Sequence, residues 1–329
     1  TKEPITYVKQ GQTYTANPYV ILDANGVAEG KFSIAGEPSV NTLRVKQNIV
    51  FDDLGELGNE GSAGLHFTDG DIIYYGGGII EHTELGYQQT TPSYEFRAYE
   101  TATGTEHRYA DIPCQGAGTC IGGTPVIAGD GGIYYLSGTS WTLIAQRSGN
   151  VLAVAAEGGK LYVVTGGTIE AYTVGTDGNG NLTATLDGTA EHGEYLADVA
   201  VTHDGDGTTW LMDDLMHTAY AVKDGALEPT VCEKADSLST DFSFIGVADG
   251  CIYAFDGTAV TRYTVGDGTP EQLRMLGSFS WYGATECVGG RLYNFGGTTA
   301  YRGTETASQG LRRFRPTDYA PISVAILPE

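Results

Sequence analysis

Short apolar runs bracketed by glycine recur along this chain. Residues Gly289 to Gly297 read as a glycine turn, the run Leu292-Tyr293-Asn294-Phe295, and a second glycine pair. The same arrangement recurs at Asp69–Gly77, Asp130–Tyr135, Gly158–Gly167 and Asp249–Gly257, with a degenerate copy at Asp206–Leu211. Asp-Gly or Gly-Gly supplies the positive φ angles of a tight hairpin turn. The aliphatic and tyrosine residues after it suit a buried strand, and the second glycine pair marks where that strand bends or meets another backbone closely. Further β-prone runs flank each copy, such as Phe244-Ile245-Gly246-Val247-Ala248 before the turn and Ala259 to Val265 after it. Each copy is therefore a meander of three or four strands with two apolar faces. Packing copies radially buries both faces, which is a β-propeller.

The anchor aromatics Tyr74, Tyr134, Tyr162, Trp210, Tyr253 and Tyr293 stand on average about 44 residues apart, an ordinary blade length. The remaining chain has room for one degenerate blade. The spacing predicts one all-β domain over residues 1–329: seven blades of four-stranded antiparallel sheet, with six as the alternative. The short step from Tyr134 to Tyr162 predicts a blade lacking a strand. Tyr19-Val20-Ile21-Leu22 and Ile322 to Leu327 read as strands, and the N-terminal strand is expected to pair near Ile322–Leu327, closing the ring and removing free edges. Asp52 to Gly61 reads as an acidic loop.

The pattern resembles the Kelch and related PQQ-like propeller repeats. The resemblance rests on Arg291–Gly297 followed by Leu311-Arg312-Arg313-Phe314-Arg315-Pro316, and on Ile72–Gly77 followed by Tyr94-Glu95-Phe96-Arg97-Ala98-Tyr99. Both show a double glycine after the second strand and an aromatic-basic third strand. The family's tryptophan after the third strand is absent from every copy. The resemblance covers roughly residues 60 to 329 and implies a fold but no activity, since propellers host many functions.

Composition narrows the functional classes. The net charge is −23, which argues against nucleic acid, whose binding depends on Lys and Arg contacts to phosphate. No apolar run approaches the roughly 18 residues of a membrane span. The 48 glycines suit many turns. The chain starts at Thr1 without Met, which fits a processed, exported protein: extracellular, periplasmic or at the cell surface. Of the five cysteines, Cys114 and Cys120 flank the glycine-rich Gln115-Gly116-Ala117-Gly118-Thr119, and a flexible spacer there would allow a disulfide.

Candidate chemistry is sparse. No Gly-x-Ser-x-Gly, His-Glu-x-x-His or P-loop pattern occurs, and no cofactor is predicted. Asp177-Gly178-Asn179-Gly180-Asn181 opens like a calcium loop. It lacks the glycine at loop position six and the acid at position twelve, so a bound calcium ion has no full motif behind it and a long hairpin turn is the expectation. His82 between Glu81 and Glu84, and His192 between Glu191 and Glu194, could ligate a cation but read more simply as solvated loops. Two connections exceed the hairpin minimum, Ile79–Pro92 and Thr299–Gln309, and long loops are where binding usually resides. Both follow a double glycine, so both should emerge on the propeller face that carries the connections between blades. The expected ligand-binding residues are Glu81, His82, Tyr87, Trp281, Tyr282, Tyr301 and Arg302.

The leading functional expectation is an exported propeller binding a protein, carbohydrate or small-molecule ligand through that face, with a surface complex as one setting. A carbohydrate-active lyase or hydrolase with its site at the propeller centre is the second. A structural subunit of a surface or phage particle is the third. Convergent carboxylates with a His or Arg at the centre would favour the enzyme.

Overall fold

The computed structural model describes residues 5–9, 12–16, 29–33, 40–44, 47–58, 63–84, 87–196, 199–233, 242–255, 260–277, 284–296, 299–307, 310–315 and 318–325. Among these there are strands and turns but no helix. The chain divides into two compact units. The first comprises Thr1–Val50, Leu273–Leu276 and Glu305–Glu329, and the second Phe51–Gln272 and Gly277–Thr304.

In chain order, β1 (Ile5–Lys9) and β2 (Gln12–Ala16) form a hairpin, and β3 (Glu29–Ser33) pairs with β4 (Val40–Arg44). After β5 (Gln47–Glu56) comes the first blade of the second unit. It contains β6 (Leu65–Asp69) and β7 (Ile72–Gly76). A separate hairpin of β8 (Ile79–Glu84) and β9 (Tyr87–Pro92) follows, and then β10 (Phe96–Glu100) and β11 (Thr105–Arg108) complete the order β11–β10–β7–β6. The second blade is β12 (Gly116–Ile121), β13 (Thr124–Gly129), β14 (Gly132–Ser137) and β15 (Ser140–Ala145). The third is β16 (Ala153–Glu157), β17 (Lys160–Val164), β18 (Thr168–Thr176) and β19 (Leu182–Glu191). The fourth is β20 (Val199–His203), β21 (Thr209–Asp213), β22 (Thr218–Lys223) and β23 (Ala226–Val231). All are antiparallel meanders in sequence order.

The fifth sheet is double width. It joins β24 (Ser243–Ala248), β25 (Cys251–Phe255), β26 (Val260–Thr264) and β27 (Pro270–Gly277) through β5 to β30 (Thr299–Ala307), β29 (Arg291–Gly296) and β28 (Ala284–Val288). The last strands, β31 (Gly310–Arg315) and β32 (Asp318–Ala325), complete the sheet β3–β4–β31–β32 in the first unit.

The second unit is a single β-propeller. Its core lies between neighbouring blades, and the period-two alternation of each second strand explains why. On β7, Tyr74 joins Phe67, Phe96, Ile127 and Leu136 between the first two blades, while Ile73 and Tyr75 turn the other way to Val288 and Tyr293. On β17, Leu161 and Val163 face the second blade and Tyr162 and Val164 face the fourth. On β21, Leu211 packs back on the third blade, and Trp210 and Met212 pack forward on Phe244, Ile252 and Tyr263. Each such side chain contributes on the order of 1.5–3 kcal/mol through burial, so apolar residues on both strand faces are required. The turns behave as the pattern requires: Asp249 and Gly250 have φ of 49° and 71°, the pair of positive values that a two-residue hairpin needs.

Several expectations are corrected. Among the described residues the blades number five rather than seven or six, because β27 and β30 both border β5, so two repeats share one sheet. No strand is missing near Tyr134: the second blade has four. The hairpin turn after its first strand is Gly122-Gly123, with φ of 55° and 78°. Tyr134 therefore lies on the third strand, and this displacement shortens the step to Tyr162. Strands from both chain ends do share a sheet, but β4 meets β31 at Arg44–Arg312, Ile322 to Ala325 belong to β32, and Ile5–Lys9 pairs with β2. Asp52, Asp53 and Glu56 lie in β5 rather than in a loop. Tyr19 to Leu22 and Glu60 are outside the described residues.

Candidate active site

The first strands of the six repeats, two of which share the double-width sheet, pack against one another, with β6, β20 and β28 in mutual contact. Three polar side chains project from those three strands into one buried cluster. On β6, Leu65 and Phe67 point into the core between the first two blades, so alternation sends His66 to the opposite side. Glu286 lies at the middle of β28 and His203 ends β20.

Glu286 is fully buried, and its carboxylate accepts hydrogen bonds from the two histidines. His66 Nδ1 lies 2.5 Å from Oε1. His203 Nδ1 lies 2.9 Å from Oε1 and 3.1 Å from Oε2, and the His203 backbone N–H donates to Oε2 at 2.9 Å. Neighbouring bonds lock the same strands together: Thr202 Oγ1 donates to the Thr285 carbonyl at 2.6 Å, and Asn294 Nδ2 donates to Thr285 Oγ1 at 3.1 Å.

The electrostatics follow from this geometry. Burial pushes the Glu286 carboxyl up, but the charge of His203, hydrogen bonds from His203 and His66, and the charge of His66 together hold it below the ordinary glutamate range. An ionised carboxylate only accepts, so each imidazole must donate from Nδ1. That assignment leaves Nε2 as the ring atom turned away from the carboxylate, the arrangement in which a carboxylate orients a histidine for proton transfer. The two rings differ in access. His66 retains 10% of its side-chain exposure, whereas His203 is sealed and its Nε2 is buried without a hydrogen-bond partner. Among the described residues no group of three His, Cys, Asp or Glu side chains is arranged to hold a metal ion.

The sequence-predicted site divides differently. Glu81, His82 and Tyr87 lie not in a loop but on the β8–β9 hairpin, with His82 opposite Gln89 and Glu84 opposite Tyr87. Glu81 is exposed and accepts from Gln88 Nε2 at 3.2 Å, and Tyr87 is 74% exposed. Tyr301 and Arg302 are also strand residues, opposite Asn294 and Tyr293, because the β-prone residues of Thr299–Ala307 extend the sheet. Trp281 and Tyr282 lie outside the described residues. His192 bridges its own loop and the β17–β18 turn, with Nε2 3.1 Å from the Thr165 carbonyl and Nδ1 accepting from Glu194 N–H at 3.2 Å. Asp177 closes a hairpin turn by accepting from the N–H groups of Asn179 and Asn181, both at 2.8 Å. Cys114 and Cys120 are free thiols. The segment between them is not a flexible loop but strand β12, and extension at about 3.3 Å per residue carries the two sulfurs apart.

Residue-type motifs missed the His66–Glu286–His203 cluster. A signal did exist. Counting back from the hairpin turns, His66 and Glu286 occupy the same position, three residues before Asp69 and Gly289, where the second, third and fifth blades carry Thr119, Ala155 and Gly246. Ionisable residues at a position otherwise small mark the central axis.

No family model matches the chain, and no curated protein does either. Solved structures with similar backbones include a streptogramin B lyase (13% identity, 86% of this chain and 89% of that one, TM-score 0.44). A virginiamycin B lyase from Staphylococcus aureus matches at 10% identity over 86% and 90% of the two chains, TM-score 0.42. YjhT matches at 12% identity over 81% and 99%, TM-score 0.47. These are β-propeller proteins. Their likeness carries no weight for activity, and the propeller assignment here rests on the sheet order of the chain itself.

Proposed function

We propose that this propeller is an enzyme of the lyase or hydrolase class whose acid–base centre is His66, Glu286 and His203. The observation that carries the reading is one buried carboxylate shared by two imidazoles from three inner strands. His66 is the catalytic residue: its Nε2 takes a proton from the substrate or from a water and returns it to the leaving group. Glu286 positions the ring and stabilises the imidazolium formed in between. His203 is a positioning residue that fixes Glu286 through two N–H groups. The Kelch-like repeat supplies the rigid frame, holding the three strands so that no reorganisation is needed at the moment of proton transfer.

The test is a panel of chromogenic esters, neutral glycosides and polyuronates, assayed with the wild type, His66→Ala and Glu286→Gln. Turnover of at least one class, lost by about 100-fold or more in both variants, is expected of a general base and its orienting carboxylate. Absence of turnover across the panel, or variants that retain full activity, overturns the reading.

A second reading keeps the protein as an exported binding module acting through its connection face. The observation favouring it is exposed apolar surface on segments that emerge there: Tyr87 at 74%, Tyr195 at 76% and Leu215 at 66%. Retained capture of a glycan or protein ligand by the Glu286→Gln variant, lost in Tyr87→Ala, would support it.

A further inference from the structure

A chamber of about 590 Å³ lies where the connections into the second and third blades pass the first. Its volume falls within the roughly 300–1,000 Å³ of ordinary small-molecule sites. Tyr94 lines it from the first blade, Cys114, Gln115 and Asp130 from the second, and Asn150 and Leu152 from the connection into the third.

The walls are fixed before any ligand arrives. Gln115 accepts from the Gly78 N–H at 3.1 Å and donates to the Ser93 carbonyl. Asp130 Oδ1 accepts from the Gly149 N–H at 2.9 Å. Behind them Arg147, with only 2% of its side chain exposed, donates to the carbonyls of Gly129 and Gly149 at 2.9 and 2.6 Å and pairs with Glu170 at 3.2 Å. Glycine is required at 129: a Cβ there would stand 2.1 Å from the Gln115 carbonyl and 2.7 Å from Cys114 Sγ. The Cys114 sulfur thereby lies against the Gly129 backbone in the chamber wall.

The lining specifies a ligand chemistry. Tyr94, 44% exposed, offers an aromatic surface at the rim, and Asp130 and Asn150 are exposed beside it. Deeper in, Leu152 and Cys114 are partly buried. The lining residues include one carboxylate and no Lys, Arg or His, in a chain of net charge −23. Anions are therefore repelled. A ring with hydroxyls on its edge and C–H groups on its face satisfies both parts, stacking on tyrosine and hydrogen-bonding to carboxylate and amide. We infer that this chamber binds a neutral, hydroxyl-bearing ring of pyranose type, with Tyr94 as platform and Asp130 and Asn150 as hydrogen-bonding partners. The site does not depend on the central acid–base cluster, and ligand binding here requires neither His66 nor Glu286.

The experiment uses the full chain with methyl β-D-glucopyranoside and N-acetylglucosamine as neutral probes and glucuronate as the anionic one. Binding is followed by saturation-transfer NMR, and occupancy by the rate at which N-ethylmaleimide alkylates Cys114, mapped by peptide mass. The neutral probes should bind and slow Cys114 alkylation. Tyr94→Ala should weaken binding by about tenfold, as loss of an aromatic anchor does. Asp130→Asn should admit glucuronate, and Glu286→Gln should bind like wild type. If no neutral probe binds, if Cys114 is unprotected at saturation, or if Tyr94→Ala and Asp130→Asn both bind like the parent, the inference is overturned. Both positions are exposed, so circular dichroism and melting curves serve to confirm folded variants.

Discussion

Replacing Glu286 by glutamine changes no volume and tests the central cluster as a structural ion. The carboxylate accepts from three N–H groups: His66 Nδ1, His203 Nδ1 and the His203 backbone. The amide oxygen can take the place of Oε1 and keep both imidazoles. The amide nitrogen then occupies the position of Oε2, 2.9 Å from the His203 backbone N–H, and donor meets donor. One buried N–H is orphaned, at about 1–3 kcal/mol, and the remaining bonds lose their charge assistance, worth about 1 kcal/mol more. The expected loss is about 3 kcal/mol, or roughly 6–12 °C in melting midpoint for a unit of this size. Denaturant unfolding at neutral pH, followed by tryptophan fluorescence, measures it.

Acid titration supplies a second arm of the same experiment. The folded Glu286 carboxyl is held below its ordinary range. Its stabilising contribution is therefore complete above the unfolded glutamate value, about 4.3, and disappears as pH falls through the lower folded value. Glu286→Gln lacks that contribution, so its stability should fall less steeply on the acid side. A variant with the wild-type midpoint at neutral pH and the wild-type acid limb would refute the account of a shared buried carboxylate.

Protein unfolded without reductant should give five thiols with Ellman's reagent, and in the folded state Cys232 and Cys287, each pushed up to about 12 chiefly by burial, should resist alkylation. A count of three would restore the Cys114–Cys120 bridge and contradict strand β12. Arg147→Met takes the charge partner from Glu170, which keeps the Tyr172 hydroxyl at 2.8 Å, and removes the donor to two backbone carbonyls, and should cost about 3 kcal/mol in denaturant unfolding; a loss under about 0.5 kcal/mol, typical of a surface change, would show that this buried guanidinium is not structural. Gly118→Ala places a Cβ 2.3 Å from Cε1 of the fully buried Phe67 and should cost about 1–3 kcal/mol by overpacking; an unchanged melting midpoint would mean that β12 and β6 are not in van der Waals contact there.

The sequence by itself determined the class of fold and the grammar of the blade. Asp-Gly and Gly-Gly turns are local, since their φ angles are set by residues adjacent in the chain, and the apolar pairs after them report burial on both strand faces. Those features needed no tertiary information, and Tyr74, Leu161, Tyr162 and Leu211 lie between blades as that pattern requires. The tertiary structure decided what depends on pairing between distant segments. The sharing of one sheet by two repeats through β5, the conversion of Thr299–Ala307 from connection to strand, and the slip that puts Tyr134 on a third strand are all choices of register and partner. A strand's own residues do not encode its partner, because backbone hydrogen bonds are alike everywhere along the chain. The candidate centre belongs to the same category. His66, His203 and Glu286 are separated by 137 and 83 residues in the chain, and each is unremarkable on its own strand. Only closure of the ring removes them from water together, and that shared desolvation turns three ordinary side chains into one coupled acid–base group.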